Sequence, residues 1–240
     1  MSEDDIKPID MDMAPEPEKK DDVIDDDLPE IDHDKVMYGA SVSRIKKGEE
    51  VDLSEMDPTL VHALIGMGWD LKNFENLPVD LDSSVFLLDK DDRTRENEDF
   101  IFYNNHEDRI GSVIHDGDSR TGAGEGDDET VNIQLTKLTF DVVKIVFVIS
   151  IHDEEMLGHS FNDVKNVYFR FVNTDSTHEL FRFELEGEEL NMGEAQAMIV
   201  AEMERVGPKW MFRALAEPVE GGLSEIATNY GIIVAEIVQA

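Results

Sequence analysis

From Ser41 onward the chain is a succession of short apolar runs punctuated by polar turns. Val85–Leu88, Phe100–Tyr103, Ile110–Ile114, Val131–Leu135, Val142–Ile151, Val167–Val172, Leu180–Leu185 and Lys209–Leu215 are rich in β-branched and aromatic residues, which fit a pleated surface. Several alternate apolar with polar positions, as a sheet with one wet face requires. Val142–Ile151 is nearly all apolar, which predicts a central strand covered on both faces. Two segments read as helices. In Glu194–Val206 an apolar stripe recurs at spacings of three and four through Ala195, Met198, Ile199, Met203 and Val206. Leu223–Tyr230 follows Gly221-Gly222 and predicts a second short helix. Many closely spaced strands with two short helices indicate a mainly β fold, a β-sandwich of two antiparallel sheets.

The first residues do not share this pattern. Residues 1–34 carry 15 acids against 3 lysines, with Pro8, Pro15, Pro17 and Pro29 and few large apolar groups. Such a segment cannot bury enough surface to offset its ordering entropy. The expected organisation is therefore a disordered acidic arm over residues 1–40 and one β domain over residues 41–240.

Charge narrows the functional classes. The 240 residues include 56 Asp and Glu against 21 Lys and Arg, a net charge of −35. That field repels phosphates and anionic lipid headgroups, which disfavours nucleic acid as a partner. It favours cations and basic proteins. With no cysteine, thiolate metal sites, Cys nucleophiles and disulfides are excluded, and a reducing, cytoplasmic setting is expected. The N-terminus lacks a cationic, then apolar, leader, and no run approaches the length of a membrane span. Direct membrane insertion is not expected.

The densest polar segment is His115–Thr130, between two expected strands. Asp116, Asp118, Glu125, Asp127, Asp128 and Glu129 place six carboxylates in 14 residues, with Arg120 the sole cation. Gly122, Gly124 and Gly126 alternate there and free the backbone to turn its carbonyls inward. Glycine-rich loops commonly cradle phosphate, yet six carboxylates repel one, and the Lys-Ser/Thr ending of a P-loop is missing. Many oxygens and few nitrogens suit a hard cation. Calcium accepts six to eight oxygens at flexible geometry, whereas magnesium keeps its waters and zinc prefers His and Cys. An EF-hand does not fit, because a loop begun at Asp116 puts Thr121 where that motif needs glycine. Two further acidic turns, Val79–Ser83 and His152–Glu155, border expected strands, and Asn104 and Asn105 offer amide oxygens. Carboxylates converging at one end would need a compensating cation. On that reasoning, neutralising Asp127 or Asp128 is expected to raise the melting point of the metal-free chain.

At these residues the sequence resembles the TerD family of tellurium-resistance and bacterial stress proteins. The resemblance rests on Lys46-Lys-Gly-Glu-Glu-Val-Asp-Leu53, Gly68-Trp-Asp70, Val79-Asp-Leu-Asp-Ser-Ser-Val-Phe-Leu-Leu88 and Asp99-Phe-Ile-Phe-Tyr-Asn-Asn105. It continues through Gly117-Asp-Ser-Arg-Thr-Gly-Ala-Gly-Glu-Gly-Asp-Asp-Glu129, Ile151-His-Asp153, Trp210-Met-Phe-Arg-Ala214 and Gly221-Gly-Leu223. It implies a sandwich holding two calcium ions among loops at one end, with no catalysis. The implied ligands are Asp80, Asp82, Asp118, Asp127, Asp128 and Glu129, assisted by Asn104 or Asn105 and by the carbonyls of Gly122 and Gly124. The expected role is a regulatory or scaffold module for stress response and tellurium resistance, with a protein partner that is basic or membrane-associated. Two other classes compete. A divalent-metal-dependent phosphoester hydrolase would use the same carboxylates with His115 or His152 as base and Arg120 as phosphate clamp. An assembly protein would dock through the acidic arm. The Gly-x-Ser-x-Gly elbow of serine hydrolases is absent.

Overall fold

A computed structural model describes residues 42–72, 79–116, 126–151 and 159–234. The acidic arm therefore lies outside the described residues. Two six-stranded sheets face each other. One contains β1 (Ser43–Ile45), β10 (His178–Leu185), β9 (Val164–Asn173), β3 (His62–Leu71), β7 (Glu129–Gln134) and β6 (Val113–His115), in that spatial order. The other contains β2 (Glu50–Asp52), β12 (Lys209–Val219), β11 (Ala197–Val206), β8 (Lys144–Ile151), β4 (Leu81–Leu88) and β5 (Phe100–Ile101). The expectation of two antiparallel sheets needs one correction. β1 runs parallel to β10, pairing Ser43 with Phe181 and Ile45 with Phe183, so the first sheet is mixed.

Strand β8 has the two covered faces its sequence predicts. Ile145, Phe147, Ile149 and Ile151 enter the core between the sheets. Val146 and Val148 point the other way, into a second apolar layer with Phe86, Phe100 and Phe102. That layer is closed by helix α2 (Gly222–Asn229) and the chain after it, through Ile226, Ala227 and Ile232. The Leu223–Tyr230 expectation thus holds. The other helix, α1 (Leu53–Met56), is one turn whose first amides, Ser54 and Glu55, donate to the Asp52 carboxylate.

The helix expected over Glu194–Val206 is instead strand β11, hydrogen-bonded on both sides to β8 and β12. A bulge between Ile199 and Ala201 explains the misleading pattern. It inserts one residue, so Val200 and Ala201 are adjacent core positions between Met198 and Met203 and strict alternation is broken. A bulge gives a strand helix-like spacing.

The apolar run of strand β3 is short, Ala63-Leu64-Ile65, because Gly66 and Gly68 interrupt it. Trp69 lies in the core with its indole N–H 3.3 Å from the Val79 carbonyl. Expected strand Phe100–Tyr103 stops at Ile101. Phe102 then pairs back with Asn105, whose amide donates to the Phe100 carbonyl at 2.7 Å.

Registers define one pole. Leu81 opens β4 opposite Ile151, the last residue of β8; Glu129 opens β7 opposite Met67; Leu71 closes β3 opposite Val164. The described residues that border the acidic segments, Leu81, Glu129 and Ile151, all lie at this end.

Candidate cation site at the acidic pole

Ser83 joins the two sheets at this pole. Its backbone N–H and its hydroxyl donate to Glu129 Oε2 at 3.1 and 2.7 Å. His115 Nε2 lies 2.8 Å from the same oxygen and 2.9 Å from Ser83 Oγ. Glu129 and His115 are buried, and Asp82 beside them is only 6% exposed. Burial pushes the Glu129 carboxyl above the usual carboxylate range. Burial alone would lower His115, but the Glu129 hydrogen bond, with the charges of Glu129 and Asp82, raises it overall.

A serine, a histidine and a carboxylate in contact invite comparison with a nucleophile relay. The geometry differs, because such a relay needs the carboxylate on the other ring nitrogen from the serine. Here Glu129 and Ser83 meet on Nε2, while His115 Nδ1 is buried and finds no hydrogen-bond partner among the described residues. The adjacent cavity, lined by Ser83, Glu129, Met67 and Phe147, measures about 10 Å3. That is room for one water rather than a substrate.

Asp127 and Asp128 root the glycine-rich segment on strand β3. The Asp128 N–H donates to the Met67 carbonyl at 2.8 Å, and its Oδ2 accepts from the Trp69 N–H at 2.9 Å. Asp127 lies over the outward face of the mixed sheet. Arg170 Nε reaches its Oδ1 at 2.7 Å and Nη2 its Oδ2 at 2.6 Å, with both side chains 1% exposed. The Tyr168 hydroxyl donates to Asp127 Oδ1 at 2.9 Å and to the Gly126 carbonyl at 2.8 Å. Burial and the neighbouring Asp127 charge drive the Tyr168 pKa upward, which keeps it a donor. Arg170 also contacts Glu179 at 3.3 Å, and Arg182 closes the chain of charges by binding Glu179 at 2.8 Å and covering the Tyr168 ring.

The two glycines of β3 make room for this network. A Cβ built on Gly66 would stand 2.2 Å from Asp127 Oδ2, and one on Gly68 would stand 2.5 Å from the Tyr168 ring. Gly66→Ala is therefore expected to displace the Asp127 carboxylate from Arg170. Like other overpacking changes it should cost about 1–3 kcal/mol, read as a lower urea midpoint at unchanged slope.

The described ligand candidates divide accordingly. Glu129 contacts Ser83 and His115, Asp82 acts on His115 through its charge, and Asp128 is held to Met67 and Trp69 of β3. Asp80 precedes β4 at the same pole, half-buried. Asn105 holds its own turn, and Asn104 sits within it. Asp118, Gly122, Gly124, Arg120 and His152 lie outside the described residues. Among the described residues no three His, Asp or Glu side chains stand together at metal-holding distance. Their oxygens nonetheless suit a hard cation, and Asp82 and Glu129 are buried where charge is costly. Arg170, Tyr168 and Gly66 escaped the sequence reading; two alternate glycines inside a run of strand residues are the signal that could have found them.

Among the described residues no helix is long and apolar enough to cross a membrane. The TerD domain family matches residues 42–230, the span of the sandwich. General stress protein 16U of Bacillus subtilis (strain 168) is 42% identical over 189 residues, covering 78% of this chain and 96% of that protein. Tellurium resistance protein TerD of Serratia marcescens is 39% identical over 188 residues, covering 78% and 96%. A crystal structure of a homologue of telluride resistance protein (TerD) from Streptomyces coelicolor A3(2) superimposes with a TM-score of 0.57 at 21% identity, covering 70% of this chain and 95% of that one. The fold, the motifs and these relatives agree: the chain belongs to the TerD domain family.

Proposed function

We propose that this protein is a calcium-binding, non-catalytic module of the stress and tellurium-resistance response, acting in the cytoplasm as a regulator or scaffold. The observation that carries this reading is the burial of two acids from different sheets, Asp82 and Glu129, both within electrostatic reach of His115 at the roots of the acidic turns. Calcium would supply the positive charge that lets such carboxylates stay ionised at close range. Asp80, Asp82, Asp128 and Glu129 would contribute oxygens, with Asp118 and the carbonyls of Gly122 and Gly124 from the glycine-rich segment and an amide oxygen of Asn104 or Asn105. Asp127 could join them only if Arg170 released it. With its loops fixed, the pole would present a rim to a protein partner, and the acidic arm would suit a basic or membrane-associated one. The arrangement around His115 gives phosphoester hydrolysis no support, since that histidine is enclosed and the adjacent cavity admits one water, while the alternative base His152 lies outside the described residues.

Thermal unfolding tests the reading. A ligand bound only by the native state stabilises it by about 2.7 kcal/mol at a hundred times its dissociation constant. For a domain of this size that raises the melting temperature by roughly 5–10 °C. Millimolar calcium should produce this rise in the EDTA-treated chain and magnesium much less. Equal curves with and without calcium would refute the proposal.

A further inference from the structure

Asp127 lies two residues from Glu129, and regular strand alternation would put both on one face. Yet β7 begins only at Glu129, and the two carboxylates end on opposite faces of the mixed sheet. Glu129 points inward to Ser83 and His115, whereas Asp127 crosses outward over Gly66 to Arg170. Both Asp127 oxygens receive charged N–H donors, and Oδ1 also accepts the Tyr168 hydroxyl. A carboxylate so placed and bonded is turned away from the residues around Asp82.

We propose that Asp127 is not a cation ligand but the anchor of the ligand-bearing segment, and that Arg170 is the positioning residue that holds it. The inference rests on the calcium-binding reading and refines it. Asp127 fixes where Asp128 and Glu129 begin, and Asp128 then locks onto Met67 and Trp69 in register. Arg170, carried on β9 and braced by Glu179, makes that register a property of the sheet. Residues that orient ligands tune metal affinity without touching the metal.

The test is calorimetric titration of the EDTA-treated full chain with calcium alone, with melting points recorded in EDTA. Asp127→Asn and Arg170→Met should each raise the calcium Kd by roughly ten- to a hundredfold. The double variant should be no worse than the weaker-binding single, because both remove one interaction. Tyr168→Phe keeps the ion pair and the fold, and should raise Kd by roughly fivefold at most. A ligand role for Asp127 predicts a different pattern, in which Asp127→Asn abolishes binding while Arg170→Met tightens it or leaves it alone. That pattern would overturn the proposal. So would lower melting points with Kd unchanged in all three variants, which would make the network scaffold only. If the wild-type chain takes up no calcium, the calcium reading fails and this refinement goes with it; if it binds and the variants disagree as described, only the refinement fails.

Discussion

Arg170→Met is expected to destabilise the metal-free protein by about 3–5 kcal/mol, the usual cost of removing one partner from a buried ion pair. The substitution keeps much of the side-chain volume, so the loss would come from charge rather than from a cavity. It strands the Asp127 carboxylate, 1% exposed, with only the Tyr168 hydroxyl to bind it among the described residues. Glu179, equally buried, keeps Arg182. Adding Asp127→Asn should recover part of the loss, since the stranded charge disappears. The urea midpoints of the two single variants and the double variant, compared at constant slope, give the coupling directly. The same geometry reverses one sequence expectation. Neutralising Asp127 alone should lower the melting point of the metal-free chain, because it breaks the pair with Arg170, while neutralising Asp128 should still raise it.

Phe212→Ala should cost a similar amount, about 3–5 kcal/mol, through a different cause. Phe212 is fully buried on β12, and its ring lies 4.8 Å from that of Phe181 and 6.0 Å from those of Phe169 and Phe171. Those three belong to the mixed sheet, so Phe212 is where the antiparallel sheet meets it. Phe147 of β8 completes the cluster against Phe169. Truncation opens a cavity between two sheets whose hydrogen-bond ladders resist collapse into it. Phe212→Leu, which keeps most of the volume, should cost less than about 1.5 kcal/mol. Denaturant unfolding of both variants checks the difference.

What the sequence reveals and what it hides follow from how local each signal is. The two covered faces of β8 are written in its own residues, and the short helix after Gly221-Gly222 is marked by its glycines. The acidic segment before β7 is legible because its carboxylates and glycines are contiguous. Interactions across the sheets are not. Arg170 stands 43 residues from Asp127 and looks like an ordinary outward-facing strand residue. Glu129 looks like one more acid in a run, yet it turns inward to Ser83 and His115 while Asp127 turns outward. β3 is hidden by glycines whose purpose is set by side chains arriving from β7 and β9. β11 is misread because a single bulge puts Val200 and Ala201 side by side in the core and breaks a period of two. Periodicity measures which face a residue occupies, and a bulge changes the face without changing the strand.

The resemblance supplies a ligand set by position, and the structure sorts it by face. Glu129 is held by Ser83 and Asp82 lies within electrostatic reach of His115; Asp128 is held to Trp69; Asp127 belongs to Arg170. The chemistry left at the pole is that of oxygen donors on fixed strand ends.

The most direct measurement is an isothermal titration of the EDTA-treated chain with calcium, repeated with magnesium and with Asp82→Asn. The account predicts saturable calcium binding that magnesium does not match, weakened in Asp82→Asn without loss of the folded state. Binding heats that stay at the level of dilution through millimolar calcium, or that Asp82→Asn leaves unchanged, would contradict it.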